Sequence, residues 1–324
     1  MLNTPKIAIT GGSGHLGNCL IDKLLSDGYL INALYTSNLP SKKHGNLTWI
    51  QGDICDSNAI NTLAENCTVL IHSAGMISIG NKNHEEVYRV NVAGTDTIIN
   101  ACIQFPTIRL IHISSSNAVK ESKGNEIFNE DRPYKTADDF IYPYSKASAE
   151  QLVLKAVTAH NLDAIIIRPT SIVGPSDNKP SLLGQTILDL HLNKLPVITT
   201  GGYDLVDVRD LSQTIINSFY KGEKGSIYLV GGQYMTVKDI AIASNSTKIP
   251  TVISLNLLLL LMPLINIYQK LFELKWPITK ESLMTLKLAP KNLDISKATN
   301  ELNHNCRPIS ESIEDLKIWF QKNN

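Results

Sequence analysis

A tyrosine and a lysine four residues apart are the residues of this sequence best suited to acid–base chemistry. Tyr142 and Lys146 stand in the run Tyr-Pro-Tyr-Ser-Lys, in which Pro143 suits the first position of a helix. Residues spaced i and i+4 lie on one helix face. A tyrosine has a pKa of about 10, and a neighbouring ammonium lowers that value. The pair is therefore expected to exchange a proton with a substrate oxygen. Tyr144 is set aside because Ser148 stands four residues after it.

Three serines after an apolar run support this chemical role. Their support is needed because the Tyr-Lys spacing alone also suits an aromatic helix cap beside a solvated lysine. Residues 114–116 follow the run 109–113, and open α/β sheets bind ligands at the carboxyl ends of their strands. One serine is expected to hydrogen-bond the substrate oxygen and stabilise charge there. His112 and His72, each inside or at the end of an apolar run, are predicted to be hydrogen-bonded core histidines and not catalysts.

A glycine-rich turn near the start of the chain predicts a phosphate site. Residues 10–17 read Thr-Gly-Gly-Ser-Gly-His-Leu-Gly and lie between a strand-like run and an amphipathic helical start. Glycines at this spacing allow a tight turn and let the backbone approach a pyrophosphate, while the N–H groups of the helix start attract the anion. The residues expected to hold a dinucleotide here are Gly11, Gly14, His15, Leu16 and Gly17.

The end of the second strand bears on the choice between NAD and NADP. An acidic residue there binds the ribose 2′-hydroxyl of NAD, and a basic one the 2′-phosphate of NADP. Residues 34–38 read Leu-Tyr-Thr-Ser-Asn and offer neither. The hydroxyls of Thr36 and Ser37, with Lys42 and Lys43 nearby, could hold a phosphate, and no carboxylate would repel it. The sequence therefore favours NADP, although the lysines would also fit a solvated loop.

Short β-branched runs alternating with helix-length segments predict the fold that positions these residues. The runs are 6–10, 29–34, 48–50, 69–72, 109–113, 164–167 and 226–230. Continuous apolarity is typical of strands covered by helices on both faces, and the alternation indicates parallel strands. The predicted fold class is α/β, a Rossmann doubly wound parallel sheet with a smaller, discontinuous C-terminal substrate lobe.

Two pieces of chain are expected to form that lobe, because the pattern loosens after Arg168-Pro169 and a strand-like run returns at 205–208. We predict an NAD(P)-binding Rossmann domain made of residues 1–169 and 205–230. Residues 170–204 and 231–324 form the predicted substrate lobe. Its apolar content, including 257–261, fits an apolar substrate and equally a core or dimer surface, so a homodimer is left open.

Charge and hydropathy narrow the class of partner. Lys+Arg and Asp+Glu number 30 each among 324 residues, so no net field attracts nucleic acid or an anionic membrane. The apolar stretch 252–267 is interrupted by Ser254, Asn256 and Pro263 and falls short of the ~20 residues of a membrane helix. A buried or partner-covered helix is favoured there over an interfacial membrane contact. The expected partner is a small carbonyl or alcohol substrate.

Cysteine usage and the amino terminus favour the cytoplasm. The 5 cysteines are scattered, with no C-x-x-C spacing, which is typical of reduced thiols. Met1 leads into the first strand without a basic and then apolar signal region. We therefore expect a cytoplasmic protein. No metal is predicted, because the 8 histidines show no metal-ligand spacing.

Eight motifs, in order through most of the chain, resemble those of the extended short-chain dehydrogenase/reductase superfamily, the NAD-dependent epimerase/dehydratase family. They are TGGSGHLG (10–17), QGDI (51–54), HSAG (72–75), NVAGT (91–95), SSSNAV (114–119), YPYSK (142–146), RPTSIVGP (168–175) and LVDVRD (205–210). The resemblance implies an NAD(P) cofactor and the catalytic residues Ser116, Tyr142 and Lys146. It implies a cofactor site with the pyrophosphate at the glycines and the remaining contacts at Thr36, Asp53 and Ile54 (adenosine side), Ser73, Ala74, Gly75, Asn91, and Pro169 and Thr170 (nicotinamide side).

Departures from the family pattern narrow the expected reaction. Sugar-nucleotide dehydratases carry an Asp-Glu pair after the catalytic hydroxyl, where this sequence has Asn117-Ala118, so dehydration is not expected. Nucleotide-sugar epimerases usually have a diphosphate-binding arginine where this sequence has Tyr203 or Asp204. The usual Val-Tyr-Gly after the serine is replaced by Val-Lys-Glu at 119–121. Stretches 73–95, 205–215 and 276–302 are more similar to dihydroflavonol-4-reductase-like and 3β-hydroxysteroid-dehydrogenase-like members.

Three functions are compatible with these residues. The first is an NAD(P)-dependent oxidoreductase that transfers a hydride to a ketone or aldehyde of a small apolar substrate, or from its alcohol, with Tyr142 as proton donor. The second is a sugar epimerase that retains its NAD. The third is a dinucleotide-sensing protein without turnover, which would not need Ser116, Tyr142 and Lys146. Consumption of the cofactor separates the first two.

Overall fold

A seven-stranded parallel sheet forms the centre of the computed structural model, which describes residues 5–77, 83–122, 126–271 and 279–323. Residues 78–82 and 276–278, which belong to stretches that carry the family resemblance, lie outside the described residues. The strands are β1 (Lys6–Thr10), β2 (Leu30–Tyr35), β3 (Leu47–Gln51), β4 (Val69–His72), β5 (Arg109–Ile113), β6 (Ala164–Pro169), β7 (Ser171–Val173), β8 (Val197–Thr199), β9 (Gly202–Asp207), β10 (Ile227–Val230), β11 (Gln233–Thr236) and β12 (Thr251–Ile253).

The central sheet has the strand order β10-β6-β5-β4-β1-β2-β3, and each of the seven runs predicted as strands contributes to it. Every pairing in the sheet is parallel. The chain builds outward from β1 to β3 and then crosses back to β4 on the other side of β1. The reversal opens a crevice at the carboxyl ends of β1 and β4, where sheets of this type bind ligands. The predicted α/β Rossmann class is confirmed.

Helices cover both faces of the sheet, because successive strand residues point to opposite sides. The helices are α1 (His15–Ser26), α2 (Ser57–Ala64), α3 (His84–Tyr88), α4 (Gly94–Gln104), α5 (Ile141–His160), α6 (Leu182–His191), α7 (Val208–Asn217), α8 (Val237–Ala243), α9 (Leu255–Leu271), α10 (Lys280–Leu288), α11 (Ser296–Leu302) and α12 (Ile309–Asn323). On one face, Ile7 and Ile9 of β1 share a core with α1, α7 and α11. On the other, Ala8 shares a core with α2, α4 and α5.

A second body of structure is built around the three-stranded sheet β11-β9-β7. In it β9 pairs antiparallel with β11 and parallel with β7. Its core joins residues of α6, α8 and α12 to β7 and β9. The predicted division assigned the strand at 205–207 to the Rossmann domain, whereas this strand pairs within the smaller sheet. An apolar strand does not reveal in its own sequence which sheet it joins.

Helix α9 covers most of the stretch 252–267, and only one of its faces is buried. Leu255 and Met262 pack against Leu283 of α10, whereas Leu260 is 75% exposed and Leu264 is 64% exposed. The prediction of a buried helix therefore holds for one face alone. Among the described residues, no helix combines the length and apolarity needed to cross a bilayer.

Candidate active site

The glycine-rich turn lies between β1 and α1, and close backbone contacts explain its glycines. Gly11 has a φ of +71°, and a Cβ there would lie 2.7 Å from the Ala74 nitrogen. A Cβ on Gly17 would lie 2.1 Å from the Gly11 carbonyl oxygen. Gly14 precedes α1 and gives it no side-chain cap. The amino end of α1 is thus free of a side-chain cap and suits a pyrophosphate, because helix N–H groups attract anions.

His15, the first residue of α1, ties this turn to the smaller lobe. Its Nε2 lies 3.1 Å from the Gly174 oxygen and 2.9 Å from the Pro175 oxygen. Both carbonyls can only accept, so Nε2 carries the proton. The neighbouring Leu16 is buried in the core. The contact joins the predicted phosphate site to the segment that follows β7.

A directed chain of hydrogen bonds runs through His72 at the end of β4. Thr95 Oγ1 donates to the Asn91 carbonyl at 2.7 Å, so it accepts from His72 Nε2 at 2.9 Å. His72 Nδ1 must then accept from Thr10 Oγ1 at 2.8 Å, and Thr10 Oγ1 in turn accepts from the Ala74 N–H at 3.2 Å. Burial lowers the pKa of His72 to about 3, so the ring stays neutral. The prediction of a hydrogen-bonded core histidine is confirmed for His72.

His112 differs from that prediction. It is fully buried on β5 beside His72, with ring centroids 5.2 Å apart. Neither of its ring nitrogens has a hydrogen-bond partner within the described part of the chain. Burial holds its pKa well below the usual range, and the Lys146 charge acts in the same direction. The sequence could not reveal this, because a histidine in an apolar run looks the same whether or not a partner faces it.

Asn91 fixes the segment after β4 to helix α5. It lies in a π-helical turn, Arg89–Ala93, between α3 and α4, and such turns are frequent at functional sites. Its Oδ1 accepts from the Met76 N–H at 2.7 Å, and its Nδ2 donates to the Met76 oxygen at 3.0 Å and to Ser145 Oγ at 2.9 Å. Of the predicted cofactor residues in this segment, Gly75 lies next to Asn91 and Lys146, whereas Ser73 and Ala74 bond to Thr10 of β1.

Replacing Asn91 with alanine is expected to loosen this segment. Three hydrogen bonds are lost, and the free energy of unfolding should fall by about 1–3 kcal/mol because water replaces them only in part. Dinucleotide affinity should fall as well. The matched control is Asn100→Ala, on the exposed side of α4. Urea unfolding and dinucleotide titration measure both effects, and a variant with parental stability and affinity would show that Asn91 does not hold the segment.

Lys146 lies buried between the ends of β4 and β5. Its Nζ donates to the Ile113 carbonyl at 2.7 Å, and a Cβ on Gly75 would lie 3.7 Å from it. Burial lowers the pKa of Lys146 to about 8, and the negative charge of Glu150 opposes that effect. The ammonium form therefore dominates at neutral pH and is lost as the pH rises through about 8.

Tyr142 lies one turn before Lys146 on α5. Burial raises the pKa of Tyr142, and the nearby Ser115 side chain opposes this. Ser115 Oγ accepts from the Asn117 N–H at 3.1 Å. The expected lowering by Lys146 is wrong for this arrangement, because the ammonium contacts Ile113 and the phenol is desolvated. The catalytic assignment of Ser116, which begins the next turn, stays a prediction.

On the predicted adenosine side, charged side chains that the sequence offered for the cofactor are engaged in ion pairs with other residues. Lys42 forms an ion pair with Asp22, so a 2′-phosphate would compete with a carboxylate for it. Asp53 is exposed and accepts two bonds from Arg89, at 3.0 and 3.1 Å, and this contact lowers the Asp53 pKa. Ile54 is buried, and a Cβ on Gly94 would lie 2.8 Å from it. Thr36 is exposed just after β2.

The predicted nicotinamide side lies at the end of β6. Pro169 is the last residue of that strand, and the Thr170 N–H donates to the Val230 carbonyl of β10 at 3.0 Å. Both residues are buried. The neighbouring β9 carries Tyr203, paired with Met235, and a buried Asp204 that accepts from the Gly232 N–H at 3.0 Å. Uncharged and acidic groups thus stand where an epimerase would have its arginine.

Sequence reasoning did not identify His72 as a link between β1, β4 and α4. The run of three serines marked the end of β5, but a motif position does not fix a side-chain direction. No pattern within the sequence pairs residues as distant as Thr10 and Thr95. All five cysteines are unpaired, as predicted. Among the residues described, no group of His, Cys, Asp and Glu could hold a metal ion.

Comparison with known proteins settles the family. The model of the "NAD dependent epimerase/dehydratase family" matches residues 7–231. The chain belongs to this family. This family member is 32% identical over 238 residues to sterol demethylase protein B of Methylococcus capsulatus, and the match covers 72% of this chain and 71% of that protein. It is 28% identical to a putative dihydroflavonol 4-reductase of Synechocystis, and that match covers 97% of this chain and 94% of that protein.

Further similarities agree with this placement. Mouse 3 beta-hydroxysteroid dehydrogenase type 7 is 34% identical over 183 residues, 51% of this chain and 50% of that protein. The crystal structure of gox2253 superposes with a TM-score of 0.83 at 24% identity and covers 99% of each chain, which shows the shared fold. The resemblance to dihydroflavonol-reductase-like and hydroxysteroid-dehydrogenase-like members is confirmed. This family member is therefore an enzyme of an NAD-dependent family. The alternative of a dinucleotide-sensing protein without turnover is set aside.

Proposed function

We propose that this epimerase/dehydratase family member is an NAD(P)-dependent oxidoreductase that reduces a ketone or aldehyde, or oxidises the corresponding alcohol. The observation that carries the proposal is the buried Lys146 ammonium, which donates to the Ile113 carbonyl at 2.7 Å one turn after Tyr142 on α5. These groups stand at the carboxyl ends of β4 and β5, beside the glycine-rich turn. A bound nicotinamide dinucleotide supplies the hydride in reduction and accepts it in oxidation.

The protein groups supply the proton and the orientation. Burial raises the pKa of Tyr142, so the phenol keeps its proton at neutral pH and can give it to the strongly basic alkoxide that forms during reduction. Ser116 is the predicted hydroxyl for the substrate oxygen. The Lys146 ammonium, held by the Ile113 carbonyl, places a positive charge at the end of β5, one turn from Tyr142 on α5.

Two observations support a reductase over a sugar-modifying enzyme. Tyr203 and the buried Asp204 leave the usual diphosphate-binding arginine without an equivalent at this place. Asn117 and Ala118 follow the serines, so the acid–base pair of dehydratases is missing there. A relative named for sterol demethylation and one named for a hydroxysteroid suggest a fused-ring ketone or alcohol.

NADP is proposed over NAD because residues 34–38 contain no carboxylate, although Lys42 is engaged by Asp22. A cytoplasmic location and function without nucleic acid or a membrane remain predictions from the sequence, and a homodimer stays open. If a homodimer forms, the exposed face of α9 is the first surface to examine.

The test is consumption of NADPH and of NADH by the purified protein, measured with ketones and aldehydes that include steroid ketones. We expect stoichiometric oxidation of the cofactor with at least one apolar ketone, and a lower KM for NADPH than for NADH. The epimerase alternative predicts the opposite: NAD that copurifies with the protein, no net consumption with any carbonyl compound, and interconversion of sugar nucleotides. A lower KM for NADH would overturn only the choice of NADP.

A further inference from the structure

A short two-stranded ribbon follows the candidate serines and leads back toward helix α5. Residues 118–121 and 132–135 form this ribbon, with an antiparallel bridge between Val119 and Tyr134. Two backbone hydrogen bonds, of 2.7 and 3.0 Å, join its strands on either side of the bridge. Val119 is buried in an apolar cluster that Tyr134 packs against. The ribbon begins two residues after Ser116, so its position bears directly on the predicted substrate-binding hydroxyl.

Four charged side chains tie this ribbon to the segment before α5. Lys135 forms an ion pair with Glu121 in the opposite strand, and its Nζ lies 3.5 Å from Asp139 Oδ1. Lys120 forms a further ion pair with Asp139, two residues before α5 begins. Opposite charges therefore alternate along a continuous chain of contacts. We call these four side chains the clamp.

Two members of the clamp are the residues that depart from the family pattern after the serines. Residues 119–121 read Val-Lys-Glu where the resemblance implies Val-Tyr-Gly. Neither tyrosine nor glycine could supply the charge with which Lys120 contacts Asp139. The same holds for the contact of Glu121 with Lys135, and glycine at position 121 would also leave the backbone more conformational freedom. The departure therefore replaces an uncharged stretch with one that is tied to the start of α5.

Stability alone is a weak explanation for the clamp. The Lys135 side chain is 7% exposed, and burying an ammonium costs free energy that an apolar residue of similar length does not. Its partner Glu121 is 37% exposed, and ion pairs with a solvated member contribute little to the free energy of unfolding. A role in the geometry of the site accounts for the arrangement better.

We infer that the clamp fixes the position of Ser116 relative to Tyr142, and that its four members are positioning residues. They act through the backbone of the two segments that they join, and not on the substrate. The catalytic consequence rests on the proposed function, but the hold of the clamp on both segments can be measured without turnover.

The two segments that the clamp joins carry the catalytic candidates. Ser116 begins a short 3₁₀ turn that runs to Ala118, where the ribbon starts. Helix α5 begins at Ile141, and Phe140 before it provides no side-chain cap, so Asp139 restrains that end from outside the helix. A displacement of about 1 Å between reacting groups can lower a rate about 100-fold. A loosened clamp should therefore lower kcat more than it lowers dinucleotide affinity.

The variant that tests this is Lys135→Met. Methionine keeps a long unbranched side chain at this nearly buried position and removes the charge. No buried carboxylate is left without a cation, because Glu121 reaches solvent and Asp139 keeps its ion pair with Lys120. We therefore expect the variant to fold and to melt close to the parental temperature. If it does not fold, Glu121→Gln weakens the same clamp from a partly exposed position.

The matched control is Lys317→Met on α12. The Lys317 side chain is 3% exposed and pairs with the half-exposed Glu314 of the same helix. Both substitutions thus remove a buried ammonium from a carboxylate at the surface, and only Lys135→Met alters the clamp. Thermal melting establishes that both variants fold.

The decisive measurement is amide hydrogen exchange, followed by mass spectrometry in peptides that cover 114–121 and 132–142. We expect exchange in both peptides to be about five-fold faster in Lys135→Met, as the loss of one such ion pair allows, and unchanged elsewhere. Lys317→Met should leave both peptides at the parental rate. If the parent turns over a carbonyl substrate, kcat should fall by at least about ten-fold in Lys135→Met, with the Kd for NADPH unchanged.

Parental exchange in both peptides of a folded Lys135→Met protein would overturn the inference whether or not a substrate is known. Faster exchange with parental kcat would overturn the positioning role, because the reaction would then tolerate a loose clamp. An equal loss of kcat in Lys317→Met would do the same, since the effect would not depend on the clamp. If the parent shows no turnover with any carbonyl compound, the proposed function fails, and the exchange rates still decide whether the clamp holds the two segments.

Discussion

The Tyr142→Phe variant is expected to lose about 10²- to 10⁴-fold in kcat, the range that a positioned general acid contributes. Phenylalanine keeps the ring and its packing on α5 but has no proton to give. Binding of NADPH should change little, since the phenol oxygen is one of many groups at the site. Single-turnover rates and dinucleotide titration separate the two effects.

The matched control for this change is Tyr144→Phe. Tyr144 lies on the same helix two residues later, and its ring contacts Tyr88 with a centroid distance of 6.0 Å. It also competes with Tyr142 in any interpretation based on the motif alone. We expect Tyr144→Phe to keep kcat within a few-fold of the parent. If the two variants exchange these behaviours, the assignment of the proton donor is wrong.

The Gly17→Ala variant is expected to lose dinucleotide affinity by at least about 100-fold, which corresponds to about 2.7 kcal/mol. Alanine is the better helix former, so a loss cannot come from helix propensity. The added Cβ would lie 2.1 Å from the Gly11 oxygen and 2.7 Å from the Gly12 α-carbon. Both are backbone atoms, so the turn must move away from α1 and can no longer present the same N–H groups to a pyrophosphate.

Gly45→Ala serves as the control for this second change. A Cβ on Gly45 meets nothing within 4 Å, and an exposed substitution of this kind shifts stability by no more than about 0.5 kcal/mol. Isothermal titration with NADPH and NADH, together with thermal melting, compares the two variants. Parental affinity in a folded Gly17→Ala protein would mean that the dinucleotide does not depend on the close approach of α1 to the turn.

The central sheet could be predicted because the pattern that indicates each strand lies within the strand's own sequence. Runs such as 69–72 and 109–113 are apolar without alternation, as strands covered on both faces must be, and right-handed crossovers restrict the order in which they assemble. The strand at 205–207 has two apolar residues before Asp207, yet it joins β7 and β11 in the smaller sheet. The choice depends on partners more than 20 residues away in sequence, and a local pattern does not carry it.

The site was predicted at the level of motifs and less well at the level of atoms. Asn91 bonds to the helix that carries Tyr142 and Lys146, and Gly11 packs against the segment after β4; their shared role in one site stays a prediction. The charges were harder, because the pKa of a group depends on burial and on neighbours from other segments. Lys146 contacts the Ile113 carbonyl, and Lys42 is neutralised by Asp22. Both partners are determined by the folded chain, so counting nearby charges in the sequence overestimated what those lysines offer.

A dinucleotide bound at the amino end of α1 would contribute to the stability of the folded protein. Gly14 gives α1 no side-chain cap, so a pyrophosphate would take the place of a cap, and this binding is available only to the folded chain. A ligand at 100 times its Kd stabilises the folded state by about 2.7 kcal/mol. The lifetime of the enzyme against proteases would then follow the dinucleotide supply of the cell, and starvation for that cofactor would shorten it before any substrate became limiting.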